Sequence, residues 1–224
     1  MSIVLLGVVL GFALMALPVP ISGDWTWWEA WAFALVIGMG FIASRLLAAH
    51  RSPDVVAERT KMIGHSDAKR WDKVLAPVVA FGLAIVAIVA GIEHGWVDTV
   101  PFFPPWLRWL AIGLVIGGEV FGSWALVENR FFSSVVRIQS DRGHRVVSSG
   151  PYAIVRHPGY LGALVVYLAA PVVLGSVWAL PLAVFFSAAL VVRTVLEDRT
   201  LQAELPGYAE YSRKTPFRLL PGAW

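Results

Sequence analysis

The stretch from Val74 to Ile92 runs nineteen residues without a charged side chain. An α-helix of that length covers most of the hydrocarbon thickness of a bilayer. Comparable runs recur along the chain. Ile3 to Pro18 is apolar throughout, Trp27 to Ala49 and Trp106 to Val127 carry only isolated charges, and Tyr160 to Leu196 is too long for one span. The last run contains Pro171 and the turn-like pair Gly175-Ser176, so it divides into a shorter helix and a full-length one. In hydrocarbon, backbone N–H and C=O groups must be satisfied inside the chain. The pattern therefore predicts an all-α integral membrane protein with about six transmembrane helices, ending in a C-terminal helical hairpin. Of the 224 residues 58% are hydrophobic and only 15% charged, against roughly 25% charged in a soluble domain. Ile3 to Pro18 has no basic segment before it and no A-x-A cleavage pattern after it, which favours a retained first span over a removable signal peptide.

Charge gives the orientation. Arg51, Arg59, Lys61, Lys69, Arg70 and Lys73 lie between the second and third runs. Arg130, Arg137, Arg142, Arg145 and Arg156 lie between the fourth and fifth, and Arg199, Arg213, Lys214 and Arg218 follow the sixth. The opposite loops, Val19 to Thr26 and Glu93 to Pro105, hold no lysine or arginine, and Arg108 is the one basic residue near them. The positive-inside rule puts the basic segments and both termini in the cytoplasm of a multi-pass protein, as in a bacterial cytoplasmic membrane. Trp25, Trp27, Trp28 and Trp31 resemble an interfacial aromatic belt. The net charge of +3 is thus explained by topology. Nucleic-acid binding would need a basic face with stacking aromatics, and these arginines are spread over three loops. Cysteine is absent, so disulfides, thiolate nucleophiles and cysteine–zinc sites are excluded.

Several familiar signals do not fit their surroundings. Gly38 to Ala43 matches a dinucleotide fingerprint as a string but sits inside an apolar run with no preceding strand, so helix packing through small residues is expected. Gly7 and Gly11, and Gly113 and Gly117, have the same small-residue spacing. His50, His65 and His94 stand without a second ligand at metal-site spacing, so no metal centre is expected. There is no G-x-S-x-G elbow and no Walker loop. Glu119 falls inside the fourth run and is expected to make a structural polar contact near the outer half of the bundle.

From Glu128 onward the cytoplasmic segments become long, polar and aromatic. One structural domain is expected, with 1–127 as N-terminal transmembrane helices and 128–224 as a cofactor-binding region. In Gly150-Pro151-Tyr152-Ala153-Ile154-Val155-Arg156-His157-Pro158-Gly159-Tyr160 a glycine–proline turn leads to a second turn at His157-Pro158. That proline suits a helix start, whose free N–H groups and positive dipole favour an anionic ligand group. The following hairpin goes out and returns, so His157 and Glu197 meet at one membrane face. Arg193 and Glu197 are four apart and share a side of the last long helix. Two readings of this cluster remain: interfacial anchors with one ion pair, or a cofactor pocket.

The block G-P-Y-x-x-V-R-H-P-x-Y-x-G at Gly150 to Gly162, followed by R-x-x-x-E-D at Arg193 to Asp198, resembles the isoprenylcysteine carboxyl methyltransferase family. That family belongs to a wider group of integral-membrane methyltransferases that includes phospholipid N-methyltransferases. Asn129 to Ser133, Arg137 to Gln139, Leu205 to Tyr211 and Arg218 to Gly222 are similar to its bacterial members. The resemblance implies S-adenosylmethionine as cofactor in a cytoplasmic pocket, without a soluble dinucleotide-binding domain. By position it implies cofactor contacts from Gln139, His144, Tyr152, Arg156, His157, Tyr160 and Glu197, with Gly150 and Gly162 permitting close approach. Many relatives have two glutamates where this chain has Glu197-Asp198, and of this pair Glu197 is the expected contact. Arg193 resembles an arginine that orients an acceptor carboxylate, and is the candidate catalytic residue; a structural salt bridge to Glu197 is its other reading.

The expected partner is a lipophilic small-molecule or lipid-linked acceptor entering from the bilayer among the membrane lipids, with no nucleic acid and no obligate protein partner. A carboxylate acceptor needs no general base, and no residue stands out as one. A membrane reductase of the sterol-reductase type, using a nicotinamide cofactor, and a cofactor-free scaffold are the alternatives.

Overall fold

The structure, a computed structural model, describes residues 3–52, 54–55, 58, 67–97 and 103–224. His65, Arg59 and Lys61 lie outside the described residues, as does 98–102 of the loop before Pro105. The helices are α1 (Ile3–Ala16), α2 (Pro18–Ser22), α3 (Trp28–Arg51), α4 (Asp72–Trp96), α5 (Pro105–Glu128), α6 (Pro158–Val173), α7 (Ala179–Glu204) and α8 (Tyr208–Lys214). Two 3₁₀ turns, Ser140–Arg142 and Gly150–Ala153, lie between α5 and α6. No strand occurs among the described residues. Helices α3, α4, α5 and α7 are long and apolar enough to cross a membrane, while the apolar segments 9–22 and Pro158–Val173 are shorter. The six apolar runs are thus four helices of full spanning length and two shorter pieces. The chain is a helical membrane protein.

Breaks in the apolar runs follow backbone chemistry. Pro18 starts α2 two residues past the end of α1, so the first run continues beyond Pro18 to Ser22. Pro105 and Pro158 each stand at the first turn of their helix, where the missing N–H costs nothing. Gly175, at φ +67°, turns α6 back into α7 through a conformation that side chains with a Cβ resist.

Helix α6 packs most extensively on α5, α4 lies along α7, and α3 lies along α5 and α1. The core they enclose includes Phe33, Val86, Val115, Val166 and Leu190. The α5–α6 seam is a close backbone approach. A Cβ on Gly162 would come within 2.5 Å of the Gly118 carbonyl oxygen and 2.9 Å of the Gly122 nitrogen. The expected small-residue contacts are therefore corrected in part. Gly11, Gly113 and Gly117 face open space, whereas Gly118 and Gly162 make the seam. Gly38 packs on the Phe12 ring, as helix packing predicts.

The two ends of the bundle differ. Trp25, Trp28, Trp96, Trp106, Trp109 and Trp178 are exposed at one end. There Arg108 is held by Glu29 at 2.7 Å, and Glu93 accepts the Trp178 N–H at 2.9 Å, capping α7 from a neighbouring helix. His94 does not stand alone, because its Nε2 lies 3.1 Å from Asp24 and its ring stacks on Trp27 at 3.9 Å. The basic segments gather at the other end, where Lys69 pairs with Glu204 and Arg130 with Asp54. Glu119 packs against Gly40 of α3, as a structural polar contact should. It lies nine residues before the end of α5 and fourteen after its start, so it belongs to the basic end rather than the tryptophan end.

Gly162→Val should separate α5 from α6. Overpacking of this kind costs about 1–3 kcal/mol, and a fall in the thermal midpoint in detergent measures it. Gly117→Val, on the open face of the same helix pair, should leave the midpoint within about a degree.

Candidate active site

At the basic end a pocket opens between the segment 129–160 and the last turns of α7. Its walls include Phe131, Phe132, Val135, Arg137, Gln139, His144, Arg145, Tyr152, Arg156, His157, Tyr160, Arg193, Glu197, Leu201, Tyr208 and Tyr211. About 820 Å³ lies between these atoms, part of it open to the outside.

Two fully buried carboxylates behind the walls position the wall residues. Asp198 is 0% exposed and receives both nitrogens of the Arg156 fork, at 2.7 and 2.9 Å. It also accepts Gln202 at 2.8 Å, Arg218 at 2.9 Å and the Tyr208 hydroxyl at 3.0 Å, with His157 Nε2 at 3.3 Å. Arg156 further donates to the Thr215 and Pro216 carbonyls, and the backbone N–H groups of Arg156 and His157 donate to Phe217 and Arg218. The C-terminal tail is thereby laced to the turn that begins α6.

Asp72, at the start of α4 and also 0% exposed, takes the Arg193 fork through Nε at 2.7 Å and Nη2 at 3.1 Å. It accepts the Val136 N–H at 2.6 Å as well. The salt bridge between Arg193 and Glu197 read from their spacing is therefore corrected. The i,i+4 pair shares a helix side, but the guanidinium turns to the carboxylate that can take both nitrogens. Glu197 instead accepts the Tyr160 hydroxyl at 2.5 Å.

The roof is tied to the α3–α4 connection. Arg137 is buried and pairs with Glu58, Asp67 and Asp141, each at 2.9 Å. Arg142 reaches Asp54 at 2.5 Å and the Gln139 side-chain oxygen. Gln139 is buried, and its amide donates to the Phe131 carbonyl at 2.6 Å, bracing the loop. His144 accepts the Gln139 N–H at 3.3 Å through Nδ1, and its ring lies 4.8 Å from that of Phe131. Burial, reinforced by the charges of Arg137 and Arg142, lowers the His144 pKa to about 4, so the ring is neutral at pH 7.

Of the site residues expected from the sequence, Gln139, His144, Tyr152, Arg156, His157, Tyr160, Glu197 and Arg193 all line the pocket. Gly150 and Gly162 do not. Gly150 has φ +57°, and a Cβ there would press on Glu128 and Trp124 of α5, while Gly162 makes the α5–α6 seam. Both glycines shape the scaffold. Sequence reasoning passed over Asp72 and ranked Asp198 below Glu197. A lone aspartate at the head of an apolar run is the signal that pointed to the first. For the second it is an acidic residue at the end of a long span, where a charge must be paired. No group of three histidine or acidic residues able to hold a metal occurs among the described residues.

Residues 111–203 match the model of the isoprenylcysteine carboxyl methyltransferase (ICMT) family. The chain is 26% identical over 141 residues to protein-S-isoprenylcysteine O-methyltransferase B of Arabidopsis thaliana, covering 59% of this chain and 71% of that protein. It is 40% identical over 88 residues to cobalt-zinc-cadmium resistance protein CzcN of Cupriavidus metallidurans, covering 35% of this chain and 37% of that one. Over 87 residues it is 34% identical to delta(14)-sterol reductase TM7SF2 of Mus musculus, covering 38% of this chain and 21% of that protein. The family match and the plant relative, with the apolar helices, indicate a membrane methyltransferase. The matched segment holds most of the residues that line the pocket, and it is similar to the ICMT family, as its motifs indicated.

His144 gives the site a pH dependence with a definite sign. Its pKa is about 4 when folded, against about 6.5 in an unfolded chain. Its contribution to stability is therefore complete above about pH 6.5 and is lost as the pH falls towards 4. The thermal midpoint should drop between pH 7.5 and pH 5, and the drop should be smaller in His144→Gln.

Proposed function

We propose that the chain transfers a methyl group from S-adenosylmethionine to a lipophilic or isoprenoid-type acceptor at the cytoplasmic face of the membrane. The observation that carries this reading is Glu197. It is the one carboxylate on the pocket wall, and no cation among the described residues pairs with it. A cofactor with a sulfonium and an ammonium group supplies that missing charge. When bound, it provides an electrophilic methyl carbon, and the remaining task for the protein is alignment. His157 and Tyr160, stacked at 5.8 Å, and Tyr152 line the donor side with Phe131. Gln139 and Arg156 act through the loops they brace, since their polar atoms are already engaged. Residues 128–224 form the cofactor-binding region, and 1–127 supply the membrane helices against which it is built.

Arg193 is assigned to the acceptor. Its Nε and Nη2 are held by Asp72, so Nη1 is the nitrogen left for an acceptor oxygen. A carboxylate acceptor fits, because it needs no base and His144, half-buried, is neutral. The acceptor enters from the bilayer between apolar helices, as in a protein acting on lipid-linked or isoprenoid substrates. Basic segments collected at the pocket end favour a cytoplasmic pocket and cytoplasmic termini, as in a bacterial inner membrane. The sterol reductase match keeps one second reading open to test, reduction with a nicotinamide cofactor.

S-adenosylhomocysteine should raise the thermal midpoint of the detergent-solubilised protein, and NADPH should not. Label from S-adenosylmethionine should then appear in a product extractable from native lipid. Stabilisation by NADPH alone would replace methyl transfer with reduction.

Arg193→Lys should retain affinity for S-adenosylhomocysteine within a few-fold while lowering methyl transfer at least about a hundredfold, because lysine cannot hold Asp72 and the acceptor at once. Parallel loss of both would move Arg193 to the cofactor pocket.

A further inference from the structure

Four arginines line the pocket: Arg137, Arg145, Arg156 and Arg193. Three are neutralised by carboxylates that lie behind the wall. Arg137 has Glu58, Asp67 and Asp141, Arg156 has Asp198, and Arg193 has Asp72. Arg145 has no ion-pair partner among the described residues. The histidine beside it adds no charge, because His144 is held neutral. Among the charged side chains of the wall, Glu197 on α7 and Arg145 on the 144–147 segment are the two without an ion pair among the described residues.

Arg145 is exposed, but the backbone that carries it is anchored. His144 on one side is tied to Gln139 and Phe131. On the other, Val146 and Val147 pack against the cluster of Tyr152, Leu205, Tyr208 and Tyr211. The guanidinium therefore projects from a fixed point on the rim. One negative and one positive side chain lining the same pocket complement a ligand end that carries both signs, and the amino-acid end of the methyl donor has an ammonium group and a carboxylate.

We infer that Arg145 binds the carboxylate of the methyl donor, opposite Glu197 on its cationic groups. This rests on the methyltransferase reading above. The contact is charge-assisted but at an exposed rim, where solvent and salt screen it. It selects donors with an intact amino-acid tail and leaves the adenosine part to the aromatic wall.

The test compares two probes on the full-length protein in detergent: S-adenosylhomocysteine, which has the carboxylate, and 5′-methylthioadenosine, which lacks it. Arg145→Ala should weaken S-adenosylhomocysteine by about tenfold and leave 5′-methylthioadenosine unchanged. Arg145→Lys should restore part of the loss. Raising the salt concentration should weaken S-adenosylhomocysteine in the wild type more than in Arg145→Ala. Equal losses for both probes would make Arg145 a support of the fold, and unchanged binding of both would remove it from the donor site. Either result overturns the inference while leaving the methyltransferase reading in place. A wild-type protein that binds neither probe overturns that reading and this inference together.

Discussion

Asp198 is the carboxylate on which the pocket depends. It lies on α7, yet its partners come from the turn before α6, from α8 and from the C-terminal tail. A fully buried charge survives only when its hydrogen-bonding capacity is filled, and here both oxygens are shared among five side chains. Removing one partner of such a pair typically costs about 3–5 kcal/mol, because the other is left charged and dry. The tail, the histidine turn and the last long helix are therefore one unit, and His157 takes its place on the wall through that unit.

Asp72 does the same for the other half. It joins α4 to α7 through Arg193, and to the pocket roof through the Val136 N–H. With Arg137 reaching Glu58 and Asp67, the N-terminal helices hold the roof over a site whose recognisable motifs all belong to the C-terminal half. The division into 1–127 and 128–224 is thus one of sequence signal. In three dimensions the two parts share their charges.

Neutralising the arginines from behind leaves the wall selective. If all four lining arginines faced the ligand unpaired, the pocket would favour any polyanion. With three of them paired, Arg145 and the carboxylate of Glu197 are left as the wall's charged groups without an ion pair among the described residues. Arg193 has Nε and Nη2 engaged by Asp72 and the Ser134 carbonyl, and beside Asp72 it contributes little net charge to the wall.

The sequence by itself determined the helical membrane class, the separation of a basic end from an aromatic end, and the hairpin that brings His157 and Glu197 together. Run length, positive-charge placement and proline position are local quantities, and hydrocarbon leaves an apolar run few alternatives to a helix. Eight residues of the pocket wall were legible as well, through the resemblance of their motifs to a known family rather than through spacing alone. The tertiary structure alone decided who pairs with whom. Arg193 has Glu197 four residues away but takes Asp72 from 121 residues upstream, since a fork bonds best to a carboxylate that can receive two nitrogens in line. Gly150 and Gly162 belong to the motif yet serve a turn and a helix seam, because the close approach there is made by protein backbone and not by a ligand. Spacing along a chain fixes what shares a helix face; the choice of partner across faces depends on packing that no local pattern encodes.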